Sequence, residues 1–308
     1  MNDLSVPRLP AGYRSRPASV ADAGEIHRLV AACERELLGS AETGLDAVTA
    51  DLVRPGPGAA VDTLLVYGPA GELAGRVWLN GGRKCAIDVH PGHQGRGLGG
   101  RLLDWAEDRA RRAGSGRLAQ TVSGSDRAAV ALLRTRGYGP FVTQWQMEIV
   151  MPAEPGVAET PEGITVRTFR HGDERAAHRL TEDAFDEWQQ RRKSYDEWAR
   201  LTVERPTFAT AASHMAFAGD EMIGAVLALD TQSSAEGYID RVAVRADHRH
   251  RGIAGALLRE TFRTFYLRGQ STCTLWTHSG TSALPLYERV GMTVRRTSAV
   301  YGKALTTG

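Results

Sequence analysis

The spacing of apolar residues predicts the same order of secondary-structure elements in each half of the chain. Apolar residues three and four positions apart predict helices, whereas short apolar runs bounded by glycine predict strands. In the first half this gives strands at 13–16, 63–67, 74–79, 84–90, 117–122 and 141–150 and helices at 20–38, 45–53 and 126–136. In the second half it gives strands at 164–169, 214–218, 222–229, 238–244, 271–277 and 293–301 and helices at 172–185, 194–204 and 281–290. The pattern indicates a mixed α/β fold in which the final strand of each half closes its own unit.

Sequence matches between the halves indicate an internal duplication. The segment that begins at Leu9 resembles the one that begins at Thr160, at an offset of 151, and the segment around Gly97 resembles that around Gly252, at an offset of 155. A third match, Leu133 with Tyr287, has an offset of 154. Three matches in the same order at nearly constant offset predict two copies of one domain. We expect domains at 1–152 and 163–308, joined by a proline-containing linker at 153–162.

Composition narrows the class of protein. The 308 residues include 38 basic and 36 acidic ones, a net charge of +2, which disfavours general nucleic-acid binding. The three cysteines are far apart and predict neither a zinc site nor a disulfide framework. No secretory signal and no apolar run of about 18 residues is recognisable, so we expect a cytoplasmic protein that does not bind a membrane. From the cysteine spacing we expect no bound metal.

A Gly-rich loop between a strand and a helix occurs in both copies. The following helices have apolar residues at helical spacing, namely Leu98, Leu102, Leu103 and Ala106, then Ile253, Leu257, Leu258, Phe262 and Phe265. Free amides at a helix N-terminus bind anions, and glycine lets the backbone approach a phosphate. Gly95, Gly97 and Gly100 spell the dinucleotide fingerprint, but the second copy has His250 at the first glycine, and some 90 residues precede the motif. A ligand-free strand–helix turn is the alternative.

The pattern that both loops share, [Gln/Arg]-x-x-Gly-x-[Gly/Ala], resembles the acetyl-CoA-binding motif of the GNAT superfamily of N-acetyltransferases. The segment Leu286-Tyr287-x-x-x-Gly291-Met292 near the end also resembles that family. Both copies show the resemblance, which therefore extends over nearly the whole chain. It implies two tandem domains, each a mixed, mostly antiparallel sheet flanked by helices, with acetyl-CoA as co-substrate.

The resemblance also implies which residues bind the co-substrate. In the family, loop amides bind the diphosphate of CoA, and the preceding strand binds the pantetheine arm. In the second copy these positions are Val242, Val244, Arg249, His250, Arg251, Gly252, Ile253, Ala254 and Gly255. In the first copy they are Val89, Gln94, Gly95, Arg96, Gly97, Leu98, Gly99 and Gly100. Arg245, Arg249 and Arg251 suit phosphate contacts, although each could equally belong to a solvated basic loop.

Tyr287 lies at the position of the family's general acid. A phenol of pKa about 10 is suited to protonating a departing thiolate. The alternative is a tyrosine that packs a helix on the sheet. Family members often have Asn seven or eight residues before this tyrosine, where Ser279 and Gly280 stand here.

Asp240 is the candidate general base. Alternation places Tyr238, Asp240, Val242 and Val244 on one face of the strand. A carboxylate in an apolar strand is unfavourable unless it is paired or used, so a buried ion pair with Arg or His from a helix is the alternative. Relatives often carry glutamate elsewhere on this strand, and Glu236 is a further candidate.

The offsets distinguish the two copies. Asp240 maps to Cys85 and Tyr287 maps to Leu133, so the first copy has neither the acid nor the base. We expect the first copy to be catalytically silent.

The acceptor is expected to be a small molecule with a primary amine, bound against the first two helices of the second copy. Their acidic and aromatic residues suit a cation, although an amphipathic helix pair has the same composition. These residues are Asp183, Phe185, Asp186, Glu187, Trp188, Tyr195, Asp196, Glu197 and Trp198. The alternatives are a protein or peptide acetyltransferase and a non-catalytic acyl-CoA-binding or sensing module. Either a monomer or a homodimer is compatible with the sequence.

Overall fold

The computed structural model describes residues 8–53, 59–157, 159–186, 191–231 and 235–306. The strands are β1 Arg14–Pro17, β2 Thr63–Tyr67, β3 Leu73–Asn80, β4 Lys84–Val89, β5 Arg117–Ser123, β6 Gly139–Val150, β7 Ile164–Thr168, β8 His214–Ala218, β9 Glu221–Asp230, β10 Glu236–Val244, β11 Thr272–His278 and β12 Thr293–Ala304. The helices are α1 Ala23–Leu38, α2 Leu45–Leu52, α3 Ala59–Asp62, α4 Leu98–Arg112, α5 Arg127–Thr135, α6 Glu174–Phe185, α7 Tyr195–Leu201, α8 Ile253–Leu267 and α9 Leu284–Arg289.

The chain forms two compact units, and their borders fall inside strands. Unit 1 comprises Met1–Thr143 and Ser298–Gly308, and unit 2 comprises Gln144–Thr297. In unit 1 the strand order is β1-β2-β3-β4-β5 and then the second half of β12; in unit 2 it is the second half of β6 and then β11-β10-β9-β8-β7. The pairs β4–β5 and β10–β11 are parallel and the other pairs within each unit are antiparallel. The expected mixed, mostly antiparallel sheets are confirmed.

The last strand of each sequence copy completes the sheet of the other unit. Ser298–Ala304 pairs with β5, and Gln144–Val150 pairs with β11. The buried side chains follow the same exchange, because Tyr301 and Leu305 lie in a core of unit 1 whereas Met147 lies in a core of unit 2. The expectation that each copy closes its own sheet is therefore wrong. Long edge strands must pair with a neighbour, and the apolar pattern of a strand does not specify which neighbour that is.

Each sheet is covered on both faces by helices. In unit 1 alternate residues of β2 enter different cores, with Leu64 and Val66 packed in the core of α4 and Leu65 in the core of α1. In unit 2 α8 and α9 cover one face, and α6 and α7 cover the other. The predicted apolar faces of α4 and α8 are buried, as Leu102 and Phe265 illustrate.

An ion pair with the same geometry recurs in both units. Arg16 donates two hydrogen bonds of 2.8 and 2.7 Å to Asp22, and Arg167 donates two of 2.7 and 2.8 Å to Asp173. The hydrogen bonds from Arg16 lower the pKa of Asp22 to about 2. Burial opposes ionisation of Asp173, but the hydrogen bonds from Arg167 and from the Arg170 amide outweigh it and lower its pKa. The shared geometry supports the duplication independently of the Gly-rich loops.

Among the residues that the structure describes, no helix is both long and apolar enough to cross a membrane.

Candidate active site

Each sheet opens between its two parallel strands. In unit 2 the pairing of β10 with β11 runs from Glu236 to Ile239, whose partner is Leu275. In unit 1 the pairing of β4 with β5 ends at Cys85, whose partner is Gln120. Beyond these pairs the backbone groups that face the gap do not pair across it, and buried backbone groups require partners. The gap can therefore accept an extended, amide-containing chain such as pantetheine.

The two Gly-rich loops have the same backbone conformation. Gly97 precedes α4 with φ 79° and ψ 4°, and Gly252 precedes α8 with φ 81° and ψ −4°. Upstream, Gly95 has φ 73° and His250 has φ 61°, so the second loop places a histidine in the left-handed region. The N-cap residues, Gly97 and Gly252, have no side chain that could accept a hydrogen bond from the first-turn amides. The first-turn amides are therefore available to a phosphate.

A cavity of about 320 Å³ in unit 1 lies along its loop. All first-copy candidates except Arg96 line it, together with Cys33, Asp126 and Leu133. The Cys33 thiol donates a hydrogen bond of 3.4 Å to the Val89 carbonyl, and the guanidinium of Arg96 lies 3.3 Å from the Tyr13 hydroxyl. The sequence prediction thus identifies residues that converge on one cavity.

The arginines of the second loop differ in their contacts. Arg245 forms ion pairs with Glu221 and with Asp247, the latter at 2.6 Å, so its charge is already neutralised. The hydrogen bond from Arg245 holds the pKa of Asp247 well below its usual range. Arg249 donates to the Val244 carbonyl at 3.2 Å, and Arg251 is exposed. A phosphate contact therefore fits Arg249 and Arg251 better than Arg245.

A β-bulge at Asp240 changes the predicted face of β10. Ile239 pairs with Ala228 and Arg241 pairs with Leu227, so Asp240 is an extra residue. Ile239, Val242 and Val244 pack against the core on the α8 side. The prediction that Asp240 shares a face with Val242 and Val244 is wrong, because a bulge breaks the two-residue alternation.

The bulge also changes the counterpart of Asp240 in unit 1. Cys85 is the last residue of β4 to pair with β5, as Ile239 is the last of β10 to pair with β11. The register of β4 with β3 is regular from Lys84 to Val89. Cys85 therefore corresponds to Ile239, and Asp240 has no counterpart in unit 1. A constant offset gave the wrong residue because it cannot detect an insertion within a strand.

Asp240 and Arg241 lie side by side on the bulge. Arg241 Nε is 3.4 Å from Asp240 Oδ2, and the guanidinium lies over the Phe185 ring of α6, 5.4 Å from its centroid. The Asp240 side chain is 25% exposed, so substrate can reach it. The alternative interpretation of Asp240 was a buried ion pair with a residue of a helix. Asp240 does contact an arginine, but the contact is long, Asp240 is partly exposed and the partner is the next residue of the same strand.

Tyr287 and Leu133 occupy equivalent positions. The Tyr287 carbonyl accepts a hydrogen bond of 3.0 Å from the Met292 amide, and the Leu133 carbonyl accepts one of 3.0 Å from the Tyr138 amide. Both side chains are buried in the core beneath α8 or α4. Burial, with a smaller effect of Tyr238, raises the pKa of Tyr287 to about 12. The phenol therefore remains protonated at neutral pH.

The other base candidate on β10 is occupied by structural contacts. Glu236 forms an ion pair of 3.1 Å with Arg295 and accepts a hydrogen bond of 3.0 Å from the Thr274 hydroxyl. Burial raises the pKa of Tyr238 to about 12, and Asp240 adds to the shift. Glu236 is as exposed as Asp240, so its ion pair and its hydrogen bond, rather than burial, make Asp240 the better candidate.

The helices expected to bind the acceptor are largely satisfied within the protein. Trp198 is fully buried, and Tyr195 packs near it. Ion pairs join Arg192 to Asp183 and Asp186, and Arg191 to Glu197. Phe185 lies beneath the Arg241 guanidinium, Asp196 lies in the first turn of α7, and Glu187 and Trp188 lie outside the described residues. Most of these acids therefore do not present a free negative charge to a cation.

Comparisons with known proteins agree with the geometry. The model of the acetyltransferase (GNAT) family matches residues 22–138 and 174–292. The chain belongs to the GNAT acetyltransferase family. It is thus an N-acetyltransferase, and enzymes of this family use acetyl-CoA as co-substrate.

Relatives and solved structures align with most of this chain. Mycothiol acetyltransferase of Thermobispora bispora is 29% identical, over 80% of this chain and 89% of that protein. The Geodermatophilus obscurus enzyme of the same name is 30% identical, over 80% and 87%. A GCN5-related N-acetyltransferase from Sphaerobacter thermophilus has a TM-score of 0.80 and 30% identity, covering 97% of this chain and 98% of that one. A tandem GNAT protein from the clavulanic acid biosynthesis pathway has a TM-score of 0.72 at 17% identity, covering 96% and 99%. The two GNAT copies of this chain resemble the architecture of mycothiol synthase. The mycothiol acetyltransferase relatives and the tandem GNAT structure confirm that resemblance.

Two residues that lie beside the strand opening were assigned no role from the sequence. Arg241 received no role, because the bulge that turns it toward α6 is not visible in the sequence. Trp276 of β11 is 46% exposed and alternates with the buried Leu275, so it lies on the face opposite the α8 core. In the sequence, the alternation of Leu275 and Trp276 along the predicted strand is the signal that could have placed Trp276 on the face opposite Leu275.

In the described parts of the chain no group of three or more His, Cys, Asp or Glu residues is arranged to hold a metal ion.

Proposed function

We propose that unit 2 transfers the acetyl group of acetyl-CoA to a primary amine of a small molecule by direct attack. Tyr287 is the general acid and Asp240 the general base. The single observation that carries this proposal is the pair of differences at matched backbone positions. Unit 2 has a buried phenol where unit 1 has Leu133, and it has a bulge carboxylate for which unit 1 has no counterpart.

The residues present fit acetyl-CoA. The uncapped start of α8 and the left-handed Gly252 suit the diphosphate, and the opening beyond Ile239 suits the pantetheine arm. Val242 and Val244 on β10 border that opening. Acetyl-CoA supplies the activated acyl group, and every proton transfer that follows is assigned to side chains of unit 2.

Asp240 performs the first proton transfer. An amine of pKa about 10.4 is an ammonium at neutral pH and must lose a proton before attack. The Asp240 carboxylate is accessible and its partner Arg241 is only loosely held, so it can accept that proton directly or through water. A carboxylate beside the ammonium also raises the local concentration of the acceptor.

Tyr287 performs the second proton transfer. Its phenol is buried in unit 2 and stays protonated because burial raises its pKa to about 12. The acid donates its proton to the departing thiolate, which would otherwise leave as an anion into an apolar core. General acid catalysis of this kind contributes about 10² to 10⁴ in rate.

Unit 1 is proposed to bind CoA without turnover. Its loop has the cleaner glycine pattern, and the cavity of about 320 Å³ lies along it. Leu133 lines that cavity at the position of Tyr287 and cannot donate a proton. For unit 1, but not for unit 2, we therefore favour a role in which acyl-CoA is bound as a signal or as part of the structure.

A broad amine screen tests the proposal. Purified protein is incubated with acetyl-CoA and a panel of primary amines, and free thiol is followed against an amine-free control. We expect amine-dependent thiol release with at least one small amine. Tight CoA binding without release in any small amine would contradict the enzyme assignment and favour a sensing module, whereas release only with peptides would favour the peptide acetyltransferase.

A further inference from the structure

The bulge in β10 sets two opposite charges on one face of the strand opening. Asp240 and Arg241 are consecutive, and their carboxylate and guanidinium lie 3.4 Å apart. Ile239 and Val242, on either side of them, pack into the core on the α8 side. Asp240 and Arg241 therefore both face α6, where substrate can meet a negative and a positive group at once.

The guanidinium of Arg241 is not saturated by this pair. Its Nε is buried and has no hydrogen-bond partner among the described residues, because the contact with Asp240 lacks hydrogen-bond geometry. By contrast, in unit 1 Arg76 Nε donates to Asp88 at 2.6 Å. An unmatched buried donor is unfavourable, and an acceptor group bound beside the guanidinium would offset that cost.

A second cation contributes to the same region. Arg205 is exposed, and both Arg205 and Arg241 act electrostatically on the Tyr238 hydroxyl, opposing the increase in pKa caused by burial and by Asp240. Around the Tyr238 hydroxyl these two cations outnumber Asp240. Asp183 of α6 and Glu197 of α7 are paired with other arginines. An amine bound to Asp240 would leave this positive charge without a partner.

At this position of the strand only unit 2 has a positive group. Arg241 pairs with Leu227 in β9, and the equivalent position of β4 is Ala86, which pairs with Trp78. The catalytically equipped unit therefore also has the additional charge, as expected for a residue that selects the acceptor.

We propose that the acceptor is zwitterionic, with its amine beside Asp240 and an adjacent anionic oxygen group, a carboxylate or a phosphate, bound by Arg241. The proposal rests on the acetyl transfer proposed above. A planar guanidinium presents paired donors that match either anion. The separation of 3.4 Å between the two charged groups fits an acceptor whose amine and anion are on neighbouring atoms, as in an α-amino acid.

Matched acceptors test this proposal. The probes are α-amino acids, their carboxamides and the corresponding 1-aminoalkylphosphonates, with acetyl-CoA as donor and free thiol as readout. For at least one side chain we expect the carboxylate or the phosphonate to exceed the carboxamide by about tenfold or more in kcat/KM, the effect of one charge-assisted contact. Preference between the two anions identifies which one Arg241 binds.

Substitutions of Arg241 test whether this residue causes the preference for acceptors with an anionic group. Arg241→Met keeps an unbranched side chain over Phe185 and should reduce the preference to less than about threefold, mainly through KM, while Arg241→Lys should retain part of it. Arg200→Gln, on the exposed side of α7, is the matched control and should retain the full preference. Thermal unfolding and CoA affinity verify that each variant is folded, and Arg241→Lys keeps the test decisive if Arg241→Met is not.

The outcomes are distinguishable. Equal or better turnover of the carboxamides, an unchanged preference in Arg241→Met, or turnover confined to amines without an anionic group would overturn the zwitterion proposal while leaving acetyl transfer intact. Absence of turnover with every amine would refute the proposed function, and this proposal with it.

Discussion

At the scale of single residues, one buried hydroxyl and one inserted carboxylate distinguish unit 2 from unit 1. Tyr287 could be identified from the sequence because its motif, Leu-Tyr-x-x-x-Gly-Met, fixes its position relative to Gly291. Asp240 was identified as a candidate, but its face and its counterpart were not, because the bulge depends on how β10 pairs with β9. Arg241 was missed for the same reason.

Replacement of the candidate base should slow turnover at neutral pH. Asp240→Asn keeps the size of the side chain but cannot accept the proton of the ammonium, so we expect kcat/KM to fall by about 10² or more, with partial recovery at high pH where the amine is already neutral. The matched control is Asp230→Asn, which removes a surface ion pair with Arg268. An Asp240→Asn enzyme with the wild-type pH–rate profile would contradict the assignment.

A buried histidine should make the protein sensitive to acid. His214 is 4% exposed, and its Nδ1 lies 3.2 Å from the Ala212 carbonyl and 3.1 Å from the Thr261 hydroxyl. Burial lowers its pKa from 6.5, outweighing the opposite effect of the Ala212 carbonyl. Because the unfolded chain takes up this proton first, the contribution is complete above about pH 6.5 and is lost as the pH falls through the folded value.

Chemical denaturation at pH 8 and pH 5.5 measures this effect. His214→Asn should lower the free energy of unfolding by about 1 kcal/mol at pH 8, through the lost hydrogen bond, and should lose less stability than the wild type on acidification. An identical pH dependence in the two proteins would show that His214 does not titrate on unfolding.

At the scale of elements, the Gly-rich loops were the most predictable part of the site. Strand, loop and helix follow one another locally, so the sequence alone defines their geometry, and the φ values of Gly97 and Gly252 agree to within a few degrees. The helices α4 and α8 begin at Leu98 and Ile253, where their apolar periodicity starts. His250 shows that the backbone conformation, rather than the glycine at each position, is the shared feature.

A paired glycine experiment separates binding from stability. Gly252→Ala forces φ of about +81° on an alanine and should weaken acetyl-CoA binding at the α8 loop, raising its KM by about tenfold. Gly269→Ala imposes a similar strain at φ +85° in the turn after α8. Both variants should lose roughly 1 kcal/mol of stability, but only the first should raise KM. Equal KM values in the two variants would show that the loop before α8 does not bind acetyl-CoA.

At the scale of the whole molecule, the sequence shows a duplication, but the borders of the two sequence copies differ from the borders of the two compact units. The repeat and the tandem GNAT architecture could be predicted because they depend on local patterns and offsets. The exchange of β6 and β12 could not, since a strand that pairs within its own copy and one that pairs with the other copy have the same alternation. Tyr301 and Lys303, at the C-terminal end of the sequence, accordingly pack in unit 1, where Lys303 lies 2.8 Å from the Glu107 carboxylate.

The exchange predicts that the sequence copies do not fold independently. Residues 1–152 expressed alone lack the strand that pairs with β5, and residues 163–308 lack the one that pairs with β11. We expect each piece to be insoluble or molten and the two pieces together to recover a cooperative unfolding transition. Two separately soluble pieces with near-ultraviolet circular dichroism of packed aromatic residues would contradict the exchange.

Unit 2 alone is proposed to perform acetyl transfer, with Tyr287 as its general acid. Turnover of Tyr287→Phe with the acceptor found in the amine screen tests it most directly, with acetyl-CoA affinity measured in parallel. Tyr138→Phe, which removes a buried phenol of unit 1 that is bonded to Glu107 at 3.1 Å, is the matched control. We expect kcat of Tyr287→Phe to fall by about 10² to 10⁴ with acetyl-CoA affinity unchanged, while Tyr138→Phe keeps wild-type turnover. An unchanged kcat in Tyr287→Phe at every pH, or a comparable loss in Tyr138→Phe, would contradict it.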